Sequence, residues 1–151
     1  MLKLIHSMAD LDSEQLLDIY KEHAWDELDF LSYLQEDFFQ QPNAVYAVWV
    51  EDEEYKSAVR LEQCGDGLLL HSLETNPSDR RRGYAYNLLS GCLDYLQRTN
   101  YQVVYSHIDK RNRASLNLHK KCGFQLFSDF ARYIDGTVTQ NSCTMYYQLK
   151  K

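Results

Sequence analysis

The stretch of sequence that decides the fold lies at residues 75–85 and reads Thr75-Asn76-Pro77-Ser78-Asp79-Arg80-Arg81-Arg82-Gly83-Tyr84-Ala85. A β-rich run at 68–75 leads into it. From Gly83 to Gln97, apolar residues then follow the spacing of an amphipathic helix. Pro77 has no N–H and fixes a turn after the strand. The stretch is therefore predicted to connect a strand to a helix.

This turn has the ingredients of an anion-binding site. Gly83 has no side chain to obstruct a ligand, and the first N–H groups of the helix that follows have no intrahelical acceptor. The three neighbouring arginines, Arg80, Arg81 and Arg82, carry forked donors that suit phosphate. The alternative is an ordinary strand-to-helix turn with exposed arginines.

The elements on either side of this turn predict a mixed α/β fold. A strand at 102–108 and a helix at 112–121 follow, so we expect strands 68–75 and 102–108 to pair in parallel. The other predicted elements are a strand at 2–6, helices from Asp12 or Ser13 to His23 and from Trp25 to Gln40, strands at 44–50 and 55–63, and strands near 124–134 and 142–149 around an Asp135-Gly136 turn. We expect a single domain over residues 1–151, with about seven strands and about four helices.

Alternation within the strands predicts which side chains share a face. One face of 44–50 should carry Val45, Ala47 and Trp49, and the other Tyr46, Val48 and Val50. One side of 55–63 should carry Tyr55, Ser57, Val59 and Leu61. The helix at 25–40 should present a stripe of Leu28, Leu31, Leu34 and Phe38.

The charge is distributed unevenly along the chain. Residues 80–121 contain nine basic and two acidic side chains, whereas residues 1–66 contain four basic and 16 acidic ones. The basic segment favours an anionic ligand, and the acidic half disfavours nucleic acid, which needs a broad basic face. A solvated surface would equally explain the acidic half.

Several classes of protein lack support in the sequence. No apolar run is long enough for a membrane span, and the N-terminus does not resemble a signal peptide. The four cysteines form no CxxC pair, and His6, His23 and His71 are scattered without metal-ligand spacing. We therefore expect a cytoplasmic protein with reduced thiols and no metal.

Two segments resemble motifs of the GNAT N-acetyltransferase superfamily. Arg80–Ala85 matches its pyrophosphate-binding pattern R/Q-x-x-G-x-G/A, and residues 112–124 resemble its pattern N-x-x-A/S-x-x-L-Y/H-x-K-x-G-F. The second segment reads Asn112-Arg113-Ala114-Ser115-Leu116-Asn117-Leu118-His119-Lys120-Lys121-Cys122-Gly123-Phe124. Two motifs in the expected order are far more specific than one, and the element order agrees along nearly the whole chain.

The resemblance implies a sheet that splays between its two parallel strands to admit acetyl-CoA. The pantetheine arm would add like a short strand to backbone groups of Leu73 and Thr75, and N–H groups across Arg80–Ala85 would hold the diphosphate. Asn112, Ser115 and His119 would line the cofactor side. The implied reaction is direct transfer of the acetyl group to a primary amine in a ternary complex.

That reaction needs a base, an oxyanion donor and an acid. For the base we retain two candidates, His107, where some relatives have a glutamate, and Glu74; each could instead be a packed or solvent-facing side chain. The backbone N–H of Leu73 or a neighbour would stabilise the oxyanion. His119 is the candidate acid, at a position where the family usually has tyrosine, although it could simply hydrogen-bond near the thiol.

The amine acceptor is the least determined part. Acidic and aromatic residues of the first helices would favour a cationic amine, either a small molecule or a peptide. The missing tyrosine leaves open a catalytically silent acyl-CoA-binding module. An unrelated α/β protein that binds another anion is the third possibility. Exposed sheet edges make a homodimer plausible.

Overall fold

The computed structural model describes residues 1–150. It contains a seven-stranded sheet in the order β1-β2-β3-β4-β5-β9-β6 and a separate two-stranded sheet of β7 and β8. The elements in chain order are β1 (Leu2–Ile5), α1 (Ser13–Ile19), α2 (Glu27–Glu36), β2 (Val45–Glu51), β3 (Glu54–Cys64), β4 (Gly67–Thr75), α3 (Tyr84–Leu96), β5 (Val103–Asp109), α4 (Arg113–Lys121), β6 (Gln125–Ser128), β7 (Ala131–Arg132), β8 (Val138–Thr139) and β9 (Ser142–Gln148). The predicted mixed fold, with seven main strands and four helices, is confirmed.

Strands β4 and β5 pair in parallel, as expected, but over three residues only. Leu68, Leu69 and Leu70 of β4 pair with Val104, Tyr105 and Ser106 of β5. Beyond Leu70 the ladder ends, although β4 continues to Thr75. On its other side β5 pairs along its whole length with β9. The sheet is therefore parted between β4 and β5 at the end that leads into the 75–85 turn.

Each face of the sheet has its own apolar core. On one side, which we call the α3 face, Val45 and Ala47 pack with the buried residues of α3, and Trp49 borders them. On the other side, the α1–α2 face, Tyr46 and Val48 pack with the buried residues of α1 and α2. The predicted alternation in β2 is thus confirmed.

The prediction for β3 is wrong at its first residue. Tyr55 packs on the α1–α2 face, whereas Val59 and Leu61 pack on the α3 face. Trp49 pairs with Ser57 and the next residue of β2 pairs with Tyr55, so β3 contains one extra residue. A bulge of this kind moves every later side chain to the opposite face.

The C-terminal prediction also needs correction. In place of one strand near 124–134 there are two, β6 and β7, separated at Phe130. The carbonyl oxygen of Phe130 accepts hydrogen bonds from the hydroxyls of Ser128 and Thr144, at 2.7 and 2.8 Å. The chain then forms the β7–β8 hairpin over the expected turn, where Gly136 has a φ of 91°.

The first two helices are shorter than predicted. Helix α1 ends at Ile19, and α2 ends at Glu36 before a separate 3-10 turn at Phe38–Gln40. Leu28 of the predicted stripe is 76% exposed, so the buried side of α2 is narrower than its spacing indicated. Within residues 1–150, no helix has the length and hydropathy to cross a membrane.

Candidate active site

The 75–85 turn has the conformation that an anion site requires. Gly83 precedes α3 with a φ of 81°, in the left-handed region that favours glycine. No other atom lies within 4 Å of where a Cβ on Gly83 would stand, so a ligand can approach the backbone. Upstream, the Asn76 side chain accepts a hydrogen bond from the N–H of Ser78 and fixes the turn. The first N–H groups of α3, which have no intrahelical acceptor, thus follow directly after an unobstructed backbone position.

The three arginines beside this turn are all exposed. Arg80 lies 2.9 Å from a carboxylate oxygen of Glu22, and Arg82 lies 3.5 Å from Asp79. The Arg80–Glu22 pair is exposed on both sides, and such pairs contribute little to stability. An anionic ligand at the start of α3 could therefore replace Glu22 at small cost.

Residues 71–75, at the C-terminal end of β4, form one side of the gap in the sheet. Beyond the last pair with β5, His71, Glu74 and Thr75 keep their pairing with β3 on the other side. Leu73 packs against the α3-face core. The hydroxyl of Thr75 lies 3.3 Å from that of Ser57. The edge of β4 that faces β5 here presents backbone groups to the gap rather than to another strand.

Across the gap, Asn112 and His119 lie at opposite ends of α4. The Asn112 side chain caps the helix by accepting from the N–H of Ser115 at 3.0 Å. His119 is 1% exposed. Its Nδ1 lies 2.7 Å from the carbonyl oxygen of Ser115, and its Nε2 lies 2.9 Å from the hydroxyl of Ser106. Because a carbonyl only accepts, Nδ1 carries the proton and Nε2 accepts from Ser106.

This arrangement keeps His119 neutral. Burial lowers its pKa, and the hydrogen bond to Ser115 only partly opposes that effect. Both ring nitrogens are engaged within the protein. The geometry therefore favours a structural contact for His119, and gives it no free nitrogen facing the gap.

His107 lies on β5 on the opposite face from His119. Its neighbour Ile108 packs on the α3 face, so alternation directs His107 toward the other side. Its ring contacts Tyr133 edge-on at 4.9 Å. Among the described residues its buried Nδ1 has no hydrogen-bond partner. Burial lowers its pKa, and the nearby His71 lowers it further.

His71 is a residue that the sequence did not single out. Leu70 of β4 and Ser106 of β5 form the last parallel pair, and His71 and His107 are the next residues on the two strands. The two histidines therefore lie at the point where the strands separate. Nε2 of His71 lies 3.0 Å from Glu62, which is buried. Burial raises the pKa of Glu62, but the contacts with His71 and Gln41 and the charge of Arg60 outweigh it, so its pKa is lowered. The parallel alignment of β4 with β5 is the feature of the sequence that could have brought His71 and His107 together.

Glu74, the other candidate base, is already engaged. One of its oxygens lies 2.9 Å from Nε2 of His23, and the other lies 3.6 Å from Arg80. Trp25 stacks on His23 with ring centroids 4.6 Å apart and is 41% exposed. Of the predicted aromatic and acidic rim, the structure thus brings Trp25 close to Glu74, with His23 between them.

Sequence comparison places these features in a known family. A sequence model described as "Acetyltransferase (GNAT) family" matches residues 5–124, which include the parted strands and both motifs. The chain belongs to the GNAT family. This confirms the resemblance drawn from the two motifs.

Among GNAT relatives, the chain is 31% identical over 77 residues to L-amino acid N-acyltransferase MnaT of Escherichia coli. That match covers 46% of this chain and 45% of the relative, so it spans less than half of either protein. The ribosomal-protein-S18-alanine N-acetyltransferase of E. coli has a similar structure, with a TM-score of 0.73 at 18% identity over 100% of this chain and 96% of that one. N-acetyltransferase PseH of Campylobacter jejuni, in complex with acetyl coenzyme A, also gives 0.73, at 16% identity over 99% and 100%. At these identities the structural likeness shows the GNAT fold.

The GNAT site residues expected from the sequence fall into four groups. Leu73, Thr75 and Arg80–Ala85 lie along one side of the gap, and Asn112 and Ser115 lie at the start of α4. His107 and Glu74 lie toward the α1–α2 face, whereas His119 lies on the α3 face. Within residues 1–150, no three or more His, Cys, Asp or Glu side chains are grouped as a metal site would require.

Proposed function

We propose that the protein is an N-acetyltransferase that moves the acetyl group of acetyl-CoA to a primary amine. The observation that carries this proposal is the gap between β4 and β5, which opens directly beside the start of α3. The resident ligand would be acetyl-CoA. Its diphosphate would meet the N–H groups of Arg80–Ala85, and its pantetheine arm would extend along Leu73 and Thr75, opposite Asn112. The complex of PseH with acetyl-CoA supports the choice of ligand.

The reaction would proceed by direct attack. His107 would accept the proton of the substrate ammonium, either directly or through water, since its lowered pKa leaves the imidazole neutral at neutral pH. The amine would then attack the thioester carbon, and the N–H of Leu73 would stabilise the oxyanion. As the C–S bond breaks, the nitrogen would lose its second proton to water, and the CoA thiolate would take a proton from solvent. Glu74 remains the second candidate base, and its contacts with His23 and Arg80 weaken that assignment.

The acceptor would be a small or peptide amine that carries a positive charge. Glu74 contacts His23, on which the exposed ring of Trp25 stacks, and an ammonium is attracted to a carboxylate and to an aromatic face. MnaT acts, by its name, on L-amino acids. We therefore place amino acids first in an acceptor screen and polyamines and peptide N-termini next.

A catalytically silent acyl-CoA-binding module is the second candidate. The buried, neutral His119 favours it, because this side chain stands where GNAT enzymes usually have a tyrosine and has no free nitrogen. Such a module would bind acetyl-CoA in the same gap without turnover.

The first experiment is thermal unfolding with and without acetyl-CoA. Ligand at about 100 times its dissociation constant stabilises the folded state by about 2.7 kcal/mol, which corresponds to a Tm increase of about 5–10 °C for this size. Gly83→Asp should abolish the increase by placing a negative charge where the diphosphate binds. Aspartate tolerates the left-handed region better than most residues, so the variant should still fold.

The matched control is Gly136→Asp. Gly136 also has a positive φ and open space at its Cβ, but it lies in the β7–β8 turn. This variant should keep the full Tm increase. No increase in the wild-type protein at millimolar acetyl-CoA would contradict the proposed function. An increase without CoA release for any amine would select the silent module.

A further inference from the structure

Strand β4 contains a strained residue, Ser72, at the level of the gap. Ser72 has a φ of 59°, in the left-handed region that a serine rarely adopts. On β3, Ala58 and Arg60 are two residues apart, but their partners on β4, Glu74 and His71, are three apart. The extra residue makes a bulge, and bulges redirect the backbone groups around them. Such a conformation persists only where its surroundings hold it.

The carbonyl of Ser72 is held by two buried tyrosines. The hydroxyl of Tyr20 donates to this carbonyl oxygen at 2.6 Å, and the hydroxyl of Tyr46 donates to that of Tyr20 at 2.8 Å. Burial raises the pKa of Tyr20 well above its usual value and that of Tyr46 to about 12. Both hydroxyls therefore keep their protons and act as donors at any pH at which the protein works.

The side chain of Ser72 is held by Arg60. One Nη of Arg60 donates to the Ser72 hydroxyl at 2.6 Å. The guanidinium is 5.3–6.0 Å from the centroids of four aromatic rings, those of Phe30, Tyr33, Phe38 and Tyr46. Packing among these rings leaves the guanidinium little freedom to move away from Ser72.

We propose that Tyr20 and Arg60 are positioning residues that hold the Ser72 bulge and thereby aim the backbone of Leu73 and Glu74 into the gap between β4 and β5. This inference rests on the proposed function, in which Leu73 binds the thioester. Tyr20 follows α1 and Arg60 lies in β3, so both act from the α1–α2 face. The α1–α2 face, which would receive the amine acceptor, would then also set the position of the backbone groups that hold the thioester.

The test compares Tyr20→Phe with Tyr55→Phe. Tyr20→Phe keeps the ring that stacks on Trp25 and removes only the hydroxyl. Tyr55 is an equally buried tyrosine of the same core whose hydroxyl accepts from the N–H of Asp12, far from the bulge. Tyr20→Phe should lower kcat by about 10- to 100-fold, since small misplacements of reacting groups have effects of that order. Tyr55→Phe should leave kcat within about twofold.

Binding of CoA separates positioning from general damage. The diphosphate loop does not contact Tyr20, so the Kd of CoA without its acetyl group should stay within about threefold in both variants. If Tyr20→Phe lowers Tm and leaves kcat unchanged, the proposal is overturned and Tyr20 is merely structural.

Two substitutions at Ser72 test the strain itself. Both lose the contact with Arg60, but Ser72→Gly adopts a positive φ without strain, whereas Ser72→Ala does not. We expect kcat to fall further in Ser72→Ala than in Ser72→Gly. Equal losses in the two variants would contradict a role for the bulge conformation.

A readout that needs no turnover keeps this inference distinct from the proposed function. The backbone chemical shifts of residues 71–74 in the NMR spectrum report the conformation of the bulge directly. Tyr20→Phe should shift them and Tyr55→Phe should not, whether or not the wild-type protein acetylates any amine. Unchanged shifts in Tyr20→Phe would overturn the inference, whereas absent turnover in the wild type would contradict only the enzymatic proposal.

Discussion

The two cores, one on each face of the sheet, differ in the types of residue that they bury. On the α3 face, the buried core is mostly aliphatic, with side chains such as Leu88 and Leu89. On the α1–α2 face, the buried core is rich in tyrosine and phenylalanine, and it also contains Arg60, Glu62 and the hydrogen-bonded Tyr20–Tyr46 pair. On the α3 face, buried His119 has both of its ring nitrogens paired, one of them with the buried hydroxyl of Ser106.

This difference assigns a separate task to each face. Aliphatic packing is non-directional and stabilises α3 against the sheet, which fixes the start of that helix beside the gap. Buried polar groups are directional, because each must meet a partner at a set distance and angle. The α1–α2 face therefore sets the positions of individual atoms at the edge of β4, whereas the α3 face sets the position of the whole 75–85 turn.

The largest expected effect is the loss of kcat on replacing His107, the histidine on the α1–α2 face. His107→Asn should lower kcat by about 10²- to 10⁴-fold, the range for loss of a general base, with little change in Tm. In the wild-type protein kcat/KM should fall as the pH drops through the pKa of His107, which lies below 6.5. The pH profile of His107→Asn should lack this acidic limb.

His119→Asn is the counterpart on the α3 face. It should lower kcat by less than about tenfold and destabilise the fold by about 1–3 kcal/mol through its lost buried hydrogen bonds. Because the folded-state pKa of His119 lies below 6.5, the wild-type free energy of unfolding should fall as pH drops below 6.5. Urea unfolding at pH 7 and 5.5 measures both effects. A severe loss of kcat with normal stability would show that His119 acts in catalysis.

The second effect tests whether the two faces unfold together. Leu34 lies in the α1–α2 core and Leu89 in the α3 core, and both are fully buried. Replacing either by alanine should cost about 2–5 kcal/mol. Since both cores share one sheet, we expect a single transition and one domain. The two tryptophans report the faces separately, because Trp25 lies by the α1–α2 core and Trp49 borders the α3 core.

The measurement uses Trp25→Phe and Trp49→Phe backgrounds, each with one fluorescent reporter. Coincident urea curves would confirm a single cooperative unit. Curves that separate in the Leu34→Ala variant would show that the α1–α2 face unfolds on its own.

The smallest effect concerns the charge buried on the α1–α2 face. The folded-state pKa of Glu62 is lowered, so its contribution to stability is present above about pH 4.5 and is lost as pH falls through the folded value. Glu62→Gln should therefore lose less stability than the wild type between neutral and acidic pH. Glu36→Gln, at an exposed carboxyl, provides the matched control. If the stability of Glu62→Gln and that of the wild type fell equally in acid, the contact of Glu62 with His71 would contribute nothing to stability.

The sequence predicts the α3 side of the molecule well. Hydrophobic periodicity located α3, Pro77 and Gly83 marked the turn that precedes it, and the order of elements gave the parallel pairing of β4 with β5. Each of these features depends on neighbours within a few residues, or on a rule of chain connection that holds for nearly all sheets. The alternation in β2 was also local and was confirmed.

On the α1–α2 side the helices and the Tyr46–Val48 face of β2 were predicted, but details that depend on residues far apart in sequence were not. One extra residue in β3 reversed the side on which Tyr55 packs, and a second bulge, at Ser72, gave no local signal. His71 became notable only once the register of β4 against β5 placed it opposite His107 and beside Glu62. The roles of His107, Glu74 and His119 in the reaction stay predictions.

The three-residue ladder between β4 and β5 has a consequence for the fold without ligand. Most sheets have their unpaired edges at the rim, where charge or a covering segment protects them. This sheet has two further edges in its interior, facing each other, with backbone donors and acceptors that water must satisfy. A ligand with peptide-like amides would act there as a missing strand. Such a ligand would fill the gap between β4 and β5 as well as react, and without it the protein would keep two unpaired strand edges inside its sheet.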